Sequence, residues 1–209
     1  MQITTISDTH GLHHQLQLPG GDLLIHAGDV CIRGTQQEAD NFIEWFEKQP
    51  YTNKVFIAGN HDFFFEDFSQ DEIQKALPKN MYYLNDSEIE IEGIKIWGSP
   101  ITPEFHNWAF NRMRGSEIEK HWELIPNDTN ILITHGPPYG ILDKTFQNSH
   151  VGCVNLLEKL EIVQPKYHIF GHIHESCGWV KKGNTTFINT SALDLHYKII
   201  NTPYHNFLF

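Results

Sequence analysis

Five short apolar runs, most of them β-branched, each stop at a polar cluster of the same kind: ITTISDTH, DLLIHAGD, KVFIAGNHD, NILITHGPP and KYHIFGHIH. Runs of this length and composition read as buried strands followed by functional loops. A chain that repeats the pattern has strand ends to gather, and in open α/β sheets ligands sit in the loops beyond the carboxyl edges of the strands. The five runs therefore point to an α/β fold with one site built from several strand ends.

Helical patterns lie between some of the runs. Ala39, Phe42, Ile43 and Phe46 follow i, i+3, i+4, i+7 spacing, as do Cys153, Leu156, Leu157 and Leu160. A third helix is expected to begin at Ser116, with Glu119 completing a capping box and Ile118, Trp122 and Ile125 on one face. The stretch MYYLNDSEIEIEGIKIWGSP reads instead as consecutive strands turning at Asn85-Asp86 and Glu92-Gly93, a hairpin or meander. A similar hairpin is expected to end the chain, with Lys182-Gly183-Asn184 turning between GWVK and TTFINTS. The order gives two packed mixed β-sheets flanked by helices. Residues 1–209 hold no repeat, low-complexity tract or Pro/Gly/Ser linker, so a single domain is expected.

Composition narrows the function classes. With 40% hydrophobic residues the chain can build a full core without disulfides, and its three cysteines (Cys31, Cys153 and Cys177) form no C-x-x-C pair. Reduced thiols and a cytoplasmic location are expected. The opening MQITTISDTH lacks the basic start and apolar run of a signal peptide, and no apolar run approaches the roughly 20 residues that span a bilayer. A net charge of −11 is a poor match for duplex nucleic acid. It leaves room for a small anionic substrate, because bound metal ions would invert the field locally. No G-x-G-x-x-G or Walker-type loop is present, so nucleotide-driven phosphoryl transfer is not suggested.

The polar clusters hold metal-ligand residue types. Asp8 and His10 are two apart, which on an extended chain would turn both side chains to one face, and His172 and His174 repeat the spacing. Asp29 follows Gly28, Asn60 and His61 follow Gly59, and His135 precedes Gly136. D-x-H or H-x-H alone is weak evidence. The ordered set is specific: D-x-H, G-D-x-x-x-x-x-G, G-N-H-D, a strand-ending His, then G-H-x-H.

On the segments SDTH, GDVCIRG, GNHD, THGPP and GHIH the chain resembles the calcineurin-like metallophosphoesterases along most of its length. The segments WGSP, NWAFN, VGCVNLL, FGHIHE and FINTS make it similar to their small fetal-brain-type metallophosphodiesterase branch. The resemblance implies a four-layer αββα sandwich and two divalent metal ions. The first ion would be held by Asp8, His10, Asp29 and His174, and the second by Asp29, Asn60, His135 and His172. Asp29 would bridge them, and a bridging hydroxide would attack a phosphoester. Some members of that branch lose the position of His172, which this chain keeps. The mixed imidazole and carboxylate shell suits Mn, Fe or Zn better than Mg or Ca.

The resemblance also makes His61 the acid facing the substrate, with Asp62 orienting its ring. It places Asn107, Trp108, Phe110, Asn111 and Arg114 at the substrate end. Trp108 and Phe110 are open between core packing and base stacking. Arg33 is open between a phosphate contact and a solvated surface arginine, and His26 between support of the site and a satisfied core histidine. The expected partner is a small phosphoester, with a nucleotide-like diester, 2′,3′-cyclic nucleotides included, ahead of a monoester or phosphoprotein. A non-catalytic scaffold of the same fold is the rival of another class.

Overall fold

The computed structural model describes residues 1–209. Its first sheet contains β1 (Gln2–Ile6), β2 (Gly21–Ala27), β3 (Tyr51–Ile57) and β4 (Met81–Tyr83), all parallel. The second runs through β5 (Ser87–Ile91), β6 (Ile94–Ser99), β9 (Ile131–Thr134), β10 (Tyr167–Phe170), β11 (Gly178–Lys182) and β12 (Thr185–Asn189). There β6, β9, β10 and β12 are parallel, while β5 and β11 are antiparallel edge strands. A short parallel pair, β7 (Thr102–Pro103) with β8 (Asn111–Arg112), lies apart, and β13 (His205–Leu208) returns to run antiparallel to β1.

Strand periodicity explains the layering. Ile3, Ile25, Val55 and Ile57 of the first sheet meet Ile96, Ile131, Ile133 and Ile169 of the second in one buried cluster. Their neighbours along the strands, such as Leu24, Phe56, Leu132 and Phe170, belong to a second cluster with the helices. That cluster takes in Phe42 and Phe46 of α1 (Gln36–Glu47) and Phe65 of the single turn α2 (Phe63–Glu66). It also holds Ile73 of α3 (Gln70–Ala76), Trp122 of α4 (Ser116–Glu123), and Leu156 and Leu160 of α5 (Val154–Val163). The strands are apolar on both faces because both faces are covered. The result is the expected pair of mixed sheets flanked by helices.

Several local expectations change. The segment after β4 is no meander: β4 pairs with β3, whereas β5 pairs with β6, so Asn85-Asp86 lies on a crossing between sheets. The Glu92-Gly93 turn does form a two-residue hairpin, with φ of 51° and 78° at the two positions. The β11–β12 hairpin also forms, yet the last strand is β13, which covers the edge of β1. The α4 capping box is absent, because Gly115 takes the N-cap with φ 86° and Ser116 is already helical. Capping boxes form instead at Thr35 with Glu38 on α1, and at Ser69 with Glu72 on α3.

Candidate metal centre and active site

The carboxyl ends of β1, β2 and β3 meet those of β9 and β10 along one edge of the sandwich. Past its last paired residue, the β1 chain keeps following the loop after β2. Asp8, His10 and Gly11 donate backbone N–H bonds to the carbonyls of Gly28, Asp29 and Val30. This path requires left-handed backbone, with φ of 53° at Asp8, 40° at His10 and 57° at Asp29, and His172 beyond β10 is likewise left-handed at 68°. Asp and His are among the few non-glycine residues that take this conformation readily. The extended strand expected from the two-residue spacing of Asp8 and His10 is therefore not what aligns them; a curled loop turns both side chains inward.

Backbone carbonyls set the imidazole tautomers. His10 Nδ1 lies 3.0 Å from the Cys31 carbonyl, His135 Nδ1 2.9 Å from that of Ala27, and His174 Nδ1 3.1 Å from that of Asp194. A carbonyl only accepts, so each Nδ1 carries the proton and each Nε2 turns to the interior. There the Nε2 atoms face carboxylates: His10 and His135 stand 3.6 and 3.3 Å from Asp29, and His174 stands 3.4 Å from Asp8. Asn60 Oδ1 sits 2.9 Å from His135 Nε2. Lone pairs converging in this way fit a cation.

The ligand atoms form two such groups. Those of Asp8, His10 and His174 lie within 4.8 Å of one another, and so do those of Asp29, His135 and His172. Backbone supports hold the carboxylates. Asp8 accepts the His172 N–H at 3.0 Å and the Ser191 hydroxyl at 2.8 Å, and Asp29 accepts the His61 N–H at 2.8 Å. Close approach underneath depends on glycine: a Cβ on Gly171 would overlap the Asp8 carboxylate and the Ser7 hydroxyl. One on Gly59 would overlap Asp29.

The electrostatics ask for positive charge at the same point. Burial alone would raise the Asp8 and Asp29 carboxyls, yet the surrounding imidazoles outweigh it and hold both low. Burial would depress His135 and His174, but the two carboxylates outweigh it and lift each to about 9. His172, half-buried at the cavity and next to His135, is pushed down to about 4 by desolvation and by that neighbour. With protein groups alone, protons on His135 and His174 must balance two buried carboxylates. Divalent ions would take the place of those protons, as metal binding commonly does.

His61 is half-buried, with Nδ1 2.8 Å from the Ile32 carbonyl. One of its ring nitrogens lies within 4.8 Å of the ligand atoms of His10 and Asp29. Asp62 does not orient that ring. It is fully buried and accepts the N–H groups of Val30, Cys31 and Gly59 at 3.1, 2.8 and 2.8 Å, stitching the loop after β2 to the loop after β3. His26 supports the site from the core, with Nε2 3.0 Å from the Thr9 hydroxyl.

Over the ligand set opens a cavity of about 310 Å³, lined by His10, Asp29, Asn60, His61, Phe105, Trp108, His172, His174, Leu195 and Tyr197. Trp108 is in this lining and stacks on His61, ring centroids 4.2 Å apart. The other residues expected at the substrate end lie elsewhere. Arg114 donates to the carbonyls of Gly152 and Val151 at 2.8 and 2.6 Å, so its fork is occupied as a loop brace. Phe110 is core. Asn111 donates to the carbonyls of Phe105 and His106 and shapes their turn from behind. Arg33 and Asn107 are exposed and outside the lining. Sequence reasoning missed Phe105, Leu195, Tyr197 and the hydroxyl of Ser191. For Ser191 a signal existed in the polar end of FINTS; for the rim residues none did.

Residues 1–176 match the family model described as Calcineurin-like phosphoesterase. The chain is 41% identical over 223 residues to human "Metallophosphoesterase domain-containing protein 1", covering 95% of this chain and 68% of that protein. It is 39% identical over 215 residues to the Caenorhabditis elegans "UPF0046 protein K07C11.7", covering 97% and 73%. Among solved structures, TT1561 of Thermus thermophilus shares the fold with a TM-score of 0.62 at 13% identity, covering 98% of this chain and 97% of that one.

Proposed function

The chain belongs to the calcineurin-like phosphoesterase family, and on that premise we propose that it is a two-metal phosphodiesterase acting on a small diester. Asp8, His10, Asp29 and His174 would hold the first ion, and Asp29, Asn60, His135 and His172 would hold the second. In support, each trio of ligand atoms converges within 4.8 Å, and with Nδ1 committed to a carbonyl the inward Nε2 is the atom left to give a lone pair once a metal displaces its proton. Manganese suits this mixed shell, with iron or zinc as alternatives. When bound, such ions supply Lewis-acid polarisation of the phosphoryl group and acidify the attacking water. The unpaired cysteines suit a reducing, cytoplasmic setting. No helix is long and apolar enough to cross a membrane.

The protein's own groups divide the remaining work. Asn60 adds an uncharged ligand where a third carboxylate would repel the phosphate. With Nδ1 committed to Ile32, His61 offers Nε2 to the departing oxygen as a proton donor. The observation that carries a diester over a monoester is the cavity lining: it contains no Lys or Arg. A monoester dianion or a polyphosphate calls for guanidinium or ammonium partners beyond the metals. A diester carries one charge and two organic arms, which suits a rim of Phe105, Trp108, Leu195 and Tyr197.

Turnover of bis-p-nitrophenyl phosphate and p-nitrophenyl phosphate by Mn²⁺-loaded protein tests the reading. A higher kcat/KM for the diester is expected. A clear preference for the monoester would move the assignment to a phosphomonoesterase. A chain that takes up no metal at saturating Mn²⁺ would make it a non-catalytic scaffold.

A further inference from the structure

The rim of the cavity has two sides, and only one of them carries residues with a counterpart in the sequence motifs. The other is a tight turn after β12, Asp194–Lys198. Asp194 builds it: its Oδ1 accepts the N–H groups of His196 and Lys198 at 2.8 and 3.0 Å, and its carbonyl accepts that of Tyr197 at 3.0 Å. The turn leaves Leu195 and Tyr197 exposed at 47% and 44%, both facing the cavity. Tyr197 is left-handed, with φ 56°, a conformation unusual for an aromatic residue and imposed by the turn.

Both sides of the rim are tied to site ligands. The Asp194 carbonyl accepts the His174 Nδ1 proton, and across the cavity the Ala109 N–H donates to the Asn60 carbonyl at 3.1 Å. The rings continue from side to side: Tyr197 to His10 at 4.9 Å, His10 to His61 at 4.7 Å, His61 to Trp108 at 4.2 Å. Tyr197 and Trp108 thus close the two ends of a row of imidazoles that floors the cavity. A volume of about 310 Å³ is at the small end for ligand sites, roughly 300–1,000 Å³, and accommodates one ring beside a phosphate.

We propose that Tyr197, with Leu195, is a specificity-determining wall that selects diesters whose retained arm is a planar aryl or heteroaryl ring, packed between this turn and Trp108. This rests on the phosphodiesterase reading. The arm makes no ion pair here; its recognition is stacking and apolar contact, which is worth about 5- to 150-fold per ring when an aromatic partner is removed.

Two substrates with one leaving group isolate the arm: phenyl p-nitrophenyl phosphate and methyl p-nitrophenyl phosphate, with Mn²⁺-loaded full-length protein. The native chain is expected to favour the phenyl ester by at least about fivefold in kcat/KM, mainly through KM. Tyr197→Ala should collapse that ratio towards one, Leu195→Ala should reduce it, and Tyr197→Phe should keep it. A ratio unchanged in Tyr197→Ala would overturn the proposal. So would loss of metal in that variant, by elemental analysis, with the ratio intact in Leu195→Ala, since Tyr197 would then act only through His174. Calorimetric affinities for diphenyl and dimethyl phosphate separate this from the chemistry. If neither ester is hydrolysed, the phosphodiesterase reading fails, but a diphenyl preference lost in Tyr197→Ala still supports the wall. Equal affinities in the native chain overturn it.

Discussion

The floor and the rim of the cavity are built on different principles. Floor residues stand at strand ends of both sheets, and most are tied by their side chains to the backbone of another segment: His10 to Cys31, His135 to Ala27, His174 to Asp194, Asp8 to His172. Asp8, His10, Asp29 and His135 are essentially inaccessible. Rim residues sit on two turns, each tied to a site ligand by one bond, and Phe105, Leu195 and Tyr197 leave their side chains in solvent, Phe105 at 60%. Tight second contacts hold ligand geometry, on which the chemistry depends. Exposed turns let the substrate arm change without disturbing it. Mutations should therefore separate into those that abolish the reaction and those that redirect it.

The largest effect is expected at Asp29, the carboxylate proposed to bridge the two ions, which faces His10 of one ligand group and His135 of the other. Asp29→Ala should remove both ions by elemental analysis and lower turnover by at least about 10³-fold, the several kcal/mol that metal activation supplies. His174→Ala should mainly weaken one ion. Gly171→Ala sharpens the contrast, because it changes no ligand: its methyl would displace the Asp8 carboxylate, so the first ion should weaken before the second. Two ions retained at full affinity in Asp29→Ala would mean that the floor does not share this residue.

His61 stands between floor and rim, bonded to Ile32 below and stacked under Trp108 above. If it protonates the departing oxygen, its worth depends on how basic that oxygen is. His61→Ala should cost about 10²–10⁴-fold with an alkoxide leaving group, such as a ribose oxygen, and much less with p-nitrophenolate. Metal content should stay near two. Equal losses on both esters would assign the ring to charge stabilisation or positioning, and loss of an ion would make it a ligand.

A smaller effect tests how the floor is supported. Burial pushes His26 and His168 down to about 3 and His13 to about 4. In the unfolded chain each titrates near 6.5, so between that pH and 3–4 the unfolded state binds more protons. Stability is thus full above pH 6.5 and is lost as the pH falls through this window. His168 is the cleanest probe, because the Thr134 hydroxyl donates to the Gly136 carbonyl and so accepts from His168 Nε2. Its Nδ1 is left buried without a partner. His168→Leu should gain up to about 3 kcal/mol relative to the native chain between pH 7 and pH 4, read from urea midpoints. A parallel pH dependence in both proteins would mean that His168 stays neutral in the unfolded state or charges in the folded one.

How much of this could be read from sequence follows the same division. The apolar strand runs gave the two mixed sheets, and their Asp, Asn and His terminations marked the residues now seen to converge. Those residue types are conspicuous because few others tolerate left-handed backbone and bind metals. The local reason is nonetheless different for Asp8 and His10, since hydrogen bonds to the loop after β2 curl the chain out of the strand. Asp62 was misplaced because adjacency in sequence suggested His61 as its partner, whereas three N–H groups from distant and near loops claim it. Ser116 and Glu119 have the capping spacing, but Gly115 pre-empts the cap; Thr35 and Glu38 have it too, and use it. Leu195 and Tyr197 carry no residue-type signal at all. Only the turn built by Asp194 brings them over the ligands.

Arg33 gives the smallest expected effect and the sharpest boundary for the rim. Its loop contributes directly to the floor, because the Cys31 and Ile32 carbonyls hold His10 and His61. Its backbone N–H is gathered with those of Ile32 and Thr35 onto the Glu38 carboxylate, so the loop is shaped without the guanidinium. The side chain is exposed and absent from the cavity lining. An exposed substitution of this kind typically shifts free energies by no more than about 0.5 kcal/mol, about twofold in rate. Arg33→Ala should therefore leave kcat/KM for both the phenyl and the methyl p-nitrophenyl diesters within about twofold of the native value. If the mutation costs tenfold on both esters alike, the side chain reaches the phosphate during turnover and the lining gains the cation it lacks at rest. That result would also weaken the electrostatic case for a diester, because a guanidinium able to swing in would serve a monoester dianion as well.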